Sequence, residues 1–190
     1  MDLREWLVGD LEAVRTRFVG AIATHVPLQR WTERADGGGS SIAALLLHVS
    51  VHQDLALRTA LAGRPPLYTE RADELGLGGA SPVASLQEAE DPTVTGSLDL
   101  DALQGYAEAV HREAVSVLGQ LGDTDLARVP PAEQRLTDLG GIAFADAPWL
   151  HAMWAEKPGA WFVRWELIGH AQGHVGEMVS VRDRLGHRPF

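Results

Sequence analysis

The chain reads as an all-α protein, a four-helix bundle with long crossover connections, and three observations carry that reading. Four stretches place apolar residues at steps of three and four, the period of an amphipathic helix. No stretch sustains the every-other-residue alternation of a half-buried strand. Glycine and proline, 20 and 10 of the 190 residues, gather between the four stretches, where they end helices and form loops.

The first helix is predicted from Asp2 to about Thr24, with Leu3, Leu7, Leu11, Val14, Phe18 and Ile22 along one face. Pro27 and the run Asp36-Gly37-Gly38-Gly39 break the chain. Ser40 or Ser41 then offers an N-cap for a second helix that runs to about Ala62, before Gly63 and Pro65-Pro66. Its stripe is Ile42, Leu45, His48, His52, Leu55 and Thr59. Residues 64–97 lack periodicity and are expected to form a crossover holding one short helical turn. The third helix begins near Asp99 or Asp101 and ends near Leu121, with Leu103, Ala107, Val110, Ala114, Val117 and Leu121 as its stripe. His111 falls beside that stripe and is expected at the surface or the boundary of the core. Residues 123–158 read as irregular apart from a short helix around Trp149 to Glu156. Pro158 and Gly159 open the fourth helix, which reaches Leu185 before Gly186. One short and two long connections link the four, and residues 1–190 are expected to form a single domain with its own core.

Composition narrows the function. Without cysteine, the chain has no disulfide, thiolate metal site or cysteine nucleophile. Its 26 acidic and 16 basic residues give a net charge of −10, which repels nucleic acid and anionic membranes, and no basic patch offsets it. No segment approaches a membrane span. Asp2, Arg4 and Glu5 stand where the apolar core of a signal peptide would begin, so a soluble cytoplasmic protein is expected.

Four histidines interrupt the apolar stripes. His48 and His52 lie one turn apart on the second helix, and His170 and His174 one turn apart on the fourth. The last stripe reads Val163, Leu167, His170, His174, Met178, Val181 and Leu185. Polar groups placed in a core need partners, and neutral imidazole is the commonest protein ligand for divalent transition metals. Two inward-facing pairs therefore predict a metal site, against the alternative of an imidazole network bridged by water. Three protein ligands leave room for a substrate or water, as catalytic sites require. His170 and His174 chelate from one turn, and His48 or His52 completes the set. The remaining histidine then orients a neighbour or acts as a general base. Glu166 and Glu177 flank the pair at i−4 and i+3, where each either orients a ligand ring or binds the ion itself. A solvated helix face is the reading favoured for both glutamates.

At these residues the chain resembles the DinB-like superfamily, including its YfiT group of metal-dependent enzymes. His48 in the second helix, the segment His170-Ala171-Gln172-Gly173-His174, Trp31 in the first connection and the terminal Arg184-Leu185-Gly186 carry the resemblance, which spans nearly the whole chain. It implies a bundle of up-down-down-up order, a divalent metal on His48, His170 and His174, and a homodimer. Apolar residues outside the main stripes, such as Leu46 and Val49, suit a dimer surface. The family motif continues after its last histidine with Arg-Gly-Gln, whereas Val175-Gly176-Glu177 here keeps only the glycine. Related bundles include transferases and isomerases that use a low-molecular-weight thiol, some binding metal through histidines plus a glutamate. The Glu166/His170 spacing fits that variant, but His174 continues the same face and favours three histidines.

Nitrogen and oxygen ligands suit zinc, nickel, iron and manganese alike, so the ion is not specified. Bound to such an ion, a water or thiol becomes a nucleophile at neutral pH. The chain is thus expected to be a thiol transferase or hydrolase acting on a small molecule, or else a non-catalytic bundle with a structural metal. No G-x-S-x-G elbow, P-loop, H-E-x-x-H or dinucleotide fingerprint offers another route. The run Gly37 to Ser41 before a helix reads as loop flexibility rather than an anion site. Trp149, Trp154, Trp161 and Trp165 cluster around the start of the fourth helix, where core packing is favoured over walling a pocket.

Overall fold

The structure is a computed structural model that describes residues 2–36, 38–78, 81–87 and 89–189. The described residues hold helices and no strand. Gly37, part of the predicted glycine break, lies outside them.

The long helices start where the sequence supplies caps. Asp2 and Glu5 form a capping box at α1 (Leu3–Phe18), each side chain accepting from the other's backbone N–H. Ser41 caps α2 (Ile42–Asp54) by accepting from the Ala44 N–H. The Ser41 N–H itself donates to Glu90 Oε2 at 2.6 Å, so a protein carboxylate already occupies the position an anion would take there. The crossover carries α3 (Leu67–Arg71), a 3₁₀ turn (Pro82–Leu86) and α4 (Pro92–Thr95), more local structure than the single turn expected. Asp99 caps α5 (Leu100–Leu118).

The stretch 123–158 contains the short helix expected around Trp149 to Glu156, as α8 (Pro148–Trp154), and two helices that were not expected, α6 (Asp123–Ala127) and α7 (Ala132–Asp138). These helices are too short to show a repeating stripe. The fourth long rod begins as α9 (Gly159–Phe162) and ends as α10 (His170–Arg184).

Three of the long rods contain a wider π-helical segment: Val19–Ala23 after α1, Leu55–Leu61 after α2, and Val163–Gly169 between α9 and α10. Each inserts residues relative to a 3.6 repeat and turns the following face. Arginines satisfy carbonyls near two of these segments. Arg182 Nη1 donates to Ala21 O at 2.8 Å, and Arg135 Nη1 donates to Ala60 O and Leu61 O. Positive groups at helix C-termini also oppose the negative end of the helix dipole.

Packing is cyclic: α1 touches α5 and α10, and α2 touches the same two helices. Within α2 every residue is buried except Ala44, which is partly so. A helix enclosed on all sides has no single core stripe, which is why His48 and His52 can be buried beside fully apolar neighbours. The α5 stripe is displaced from the predicted one. Tyr106 and Leu118 are buried with Leu103, Val110 and Ala114, whereas Ala107, Val117 and Leu121 are only partly covered. Leu46 and Val49 are 7 % and 6 % exposed, so the residues that suggested a dimer surface lie inside. No helix among the described residues is long and apolar enough to cross a membrane.

A buried carboxylate absent from the sequence reading ties α2 to the crossover. Asp54 accepts from the Leu67 and Tyr68 N–H groups at 3.0 and 2.8 Å and from the Tyr106 hydroxyl at 2.8 Å. It thereby caps α3 from another helix. Burial pushes its pKa up to about 6, although those three hydrogen bonds pull the other way.

Candidate metal centre

His48 and His52 of α2 face His170 and His174 of α10, and all four rings meet. Ring centroids lie 4.5–5.0 Å apart for the pairs His48–His52, His48–His170, His48–His174, His52–His170 and His170–His174. His48 Nε2 is 3.2 Å from His170 Nε2, which is 2.9 Å from His174 Nε2. Ligand atoms of His48, His52 and His170 all lie within 4.8 Å of one another.

The neighbours of each ring select its tautomer. His48 Nδ1 lies 3.0 Å from the Ser85 carbonyl oxygen; a carbonyl only accepts, so Nδ1 carries the proton and Nε2 a free lone pair. His174 Nδ1 donates to Glu177 Oε2 at 2.6 Å, with the same result. His52 Nδ1 donates to Glu166 Oε2 at 3.0 Å. Its Nε2 is buried without a partner among the described residues, as is His170 Nδ1.

Electrostatics keep the central rings neutral. Burial, followed by the neighbouring His52 and His174, lowers the His48 pKa to about 3. Burial and the same two neighbours, with His48, lower that of His170 to about 2. Bare Nε2 lone pairs facing each other at 3.2 and 2.9 Å repel. A proton on His170 Nε2 would satisfy one neighbour and leave the other. A cation beside His170 Nε2 would relieve both contacts, and the mutually close nitrogens of His48, His52 and His170 offer it a donor set as well. Nitrogen donors about 2.0–2.1 Å from a tetrahedral ion stand about 3.3 Å from one another, close to the spacings observed. The donor set therefore fits a divalent transition metal.

The two glutamates differ, and one corrects the sequence reading. Glu177 has a 59 % exposed side chain and orients His174 from the solvated side. Glu166 is fully buried, not on a solvated face. Its Oε1 accepts from Trp154 Nε1 at 2.6 Å, its Oε2 accepts from His52, and it lies 4.0 Å from His170 Nδ1. The π-helical segment explains the difference: the His170 N–H donates to Trp165 O, five residues back, which rotates Glu166 inward relative to a strict 3.6 repeat. Gln53 Nε2 donates to Leu167 O in this segment at 2.7 Å.

The tryptophans divide. Trp154 is buried beneath the site as the hydrogen-bond donor to Glu166, and Trp161 packs edge-on against Phe162. Trp149 and Trp165, 39 % and 43 % exposed, stand beside the histidines, with ring centroids 6.2 Å from His52 and 6.1 Å from His170. Two of the four thus wall the site, whereas Trp154 and Trp161 pack in or against the core. His111 sits at the core boundary, 3.3 Å from Glu12, and is not one of the histidines whose ligand atoms converge.

Ser85 escapes sequence reasoning because it acts through its backbone carbonyl, which every residue possesses. Trp154 carried a signal only as one of a cluster.

No curated protein and no solved structure matches the chain. The sequence pattern of the DinB superfamily matches residues 10–178, a span that includes all four histidines. That match, on a helical chain whose histidines converge, shows that the protein belongs to the DinB superfamily.

Proposed function

We propose that the protein is a divalent-metal-dependent enzyme in which His48, His170 and His174 hold the ion and a thiol or water serves as nucleophile, in a thiol S-transferase or hydrolase type of reaction. The observation that carries this reading is the convergence of three Nε2 atoms at 2.9 and 3.2 Å with two of their Nδ1 atoms fixed by Glu177 and Ser85. When bound, the ion supplies Lewis acidity that lowers the pKa of a water or thiol toward neutrality.

The protein's own groups have separable tasks. Ser85 and Glu177 hold His48 and His174 in the metal-binding tautomer. Glu166, itself fixed by Trp154, aims His52, whose free Nε2 can accept a proton from the nucleophile. Trp149 and Trp165 border the approach to the rings and exclude water from part of it. The substrate is a small molecule, and a low-molecular-weight thiol fits a chain that has no cysteine of its own.

The reading places the site in one domain with up-down-down-up helix order. Glu12 beside His111 and Arg15 beside Glu108 support antiparallel α1 and α5. Asp54 beside Tyr106 and Arg58 beside Glu113 support parallel α2 and α5. His48 beside His174, and His52 beside Glu166, support antiparallel α2 and α10. A single apolar cluster extending from Leu7 to Val181 supports one domain.

One observation favours a second reading. The unpartnered, buried His52 Nε2 would make a closed four-nitrogen site, which is the structural kind. Cobalt substitution separates the two. In the enzyme reading, the visible spectrum of the cobalt protein shifts on adding a small thiol, and His52→Ala retains cobalt. Thiol-transfer and hydrolysis assays then show activity that chelation removes. A cobalt spectrum indifferent to thiols and to anions, with cobalt lost in His52→Ala, overturns the enzyme reading in favour of a structural metal.

A further inference from the structure

A cavity of about 510 Å³ lies among α1, α2, α5 and α10, on faces of α2 and α10 other than those bearing the histidines. Leu11, Phe18, Leu46, Val49, Val175 and Met178 form its apolar wall. Its volume falls within the ~300–1,000 Å³ of small-molecule sites. It opens to solvent at a rim that includes Arg15 and Glu108, whose side chains are 38 % and 35 % exposed, so its apolar wall stays in contact with water until an apolar ligand covers it.

We propose that this cavity binds an uncharged, largely apolar small molecule, at a site separate from the metal centre. Charge at the mouth decides the class. Arg15 is committed to Glu108 through Nε and Nη2 at 2.9 and 2.6 Å, and His111 faces Glu12 at 3.3 Å. Asp101 also lines the opening. Among the described residues, no lining cation is left to receive a carboxylate, sulfonate or phosphate, and the acidic groups repel one. Inside, Gln53 Nε2 is already given to Leu167 O. Recess decides against a second protein chain: Leu46 and Val49 are only 7 % and 6 % exposed, too deep for a flat surface to reach.

Two dyes with the same ring system test the class. N-phenyl-1-naphthylamine is uncharged, and 8-anilinonaphthalene-1-sulfonate adds one sulfonate. The expected result is saturable binding of one uncharged dye per chain, with blue-shifted emission, and at least tenfold weaker binding of the sulfonate. Ala107→Trp fills the cavity and should lower the affinity at least tenfold. If that variant fails to fold, Gly105→Phe keeps the test, because a Cβ at Gly105 meets nothing within 4 Å. His48→Ala should bind the dye as the unaltered chain does. The inference is overturned by absence of saturable binding, by equal affinity for both dyes, or by affinity unchanged in a folded filling variant. Loss of binding in His48→Ala, or binding that disappears as the protein self-associates, overturns it too.

Discussion

The pair α2–α10 shows two unlike faces to its surroundings. One carries His48, His52, His170 and His174 under the 3₁₀ turn and α8; the other carries Leu46, Val49, Val175 and Met178 along a cavity. The histidine face is crowded, with nitrogen atoms closer than unassisted lone pairs tolerate. The apolar face is under-filled. Both faces are buried, so burial alone distinguishes nothing. What differs is which groups have satisfied partners. Unsatisfied nitrogens call for an ion, whereas unfilled apolar space calls for carbon.

The largest expected effect breaks the histidine face. His170 supplies the nitrogen shared by both short contacts, so His170→Ala should abolish stoichiometric metal binding in titration calorimetry. Circular dichroism should still report a helical chain, because the stripes of leucine, valine and phenylalanine remain. Retention of a full equivalent of metal with unchanged affinity would remove His170 from the ligand set. His52→Ala sharpens the result, since under the three-histidine reading it keeps the metal.

The histidine pairs were legible in the sequence because i,i+4 spacing survives any helical packing. The Ser41 and Asp99 caps were legible for the same local reason. Glu166 was not, because its burial depends on the π-helical segment Val163–Gly169, and no side-chain pattern announces a change from 3.6 residues per turn. The stripe read for the second helix, Ile42, Leu45, His48, His52, Leu55 and Thr59, is buried throughout, but the burial of nearly every other α2 position was not legible from it. Short helices such as α6 and α7 span too few turns to repeat a pattern. Asp54 is a carboxylate whose three donors come from α3 and α5, 13 to 52 residues away, beyond any local signal.

A second effect follows from protonation. His48 and His170, held down at about 3 and about 2 against an ordinary 6.5, stay neutral in the native chain while the unfolded chain binds protons. Between pH 6.5 and about 3 the unfolded state therefore holds more protons, so stability rises with pH and is lost as pH falls through that window. Asp54 acts oppositely. Its pKa is raised from 3.8 to about 6, so the native state holds the extra proton between those values, and its contribution declines as pH rises. Two histidines outweigh one carboxylate. The Tm of the metal-free chain should fall by about 5 °C or more between pH 7 and pH 4. His48→Ala should flatten that dependence, and Asp54→Asn should steepen it. A Tm independent of pH across this range would count against neutral, buried imidazoles.

A smaller change tests orientation alone. Glu177→Gln replaces the carboxylate at His174 Nδ1 with a weaker acceptor and leaves all four histidines in place. Groups that orient metal-binding histidines typically contribute ~10–100-fold to affinity. Because the Glu177 side chain is 59 % exposed, the loss should lie near the lower end, about tenfold in a competitive chelator titration. Unchanged affinity would mean that His174 needs no help from outside the cluster.

The smallest expected effect probes the apolar face. Gly105 is exposed within α5, and a Cβ built there meets nothing within 4 Å. Glycine in a helix interior costs ~0.5–1 kcal/mol relative to alanine, through backbone freedom lost on folding. Gly105→Ala should therefore stabilise the chain and raise its Tm by about 1–4 °C, with metal affinity unchanged. Gly159 is the contrasting position, because a Cβ there would lie 2.4 Å from Asp125 O. Gly159→Ala must push α9 away from α6 and should lower the Tm. If Gly105→Ala lowered it as well, the space beside α5 would be filled in solution, and the under-filled character of the apolar face would fail with it.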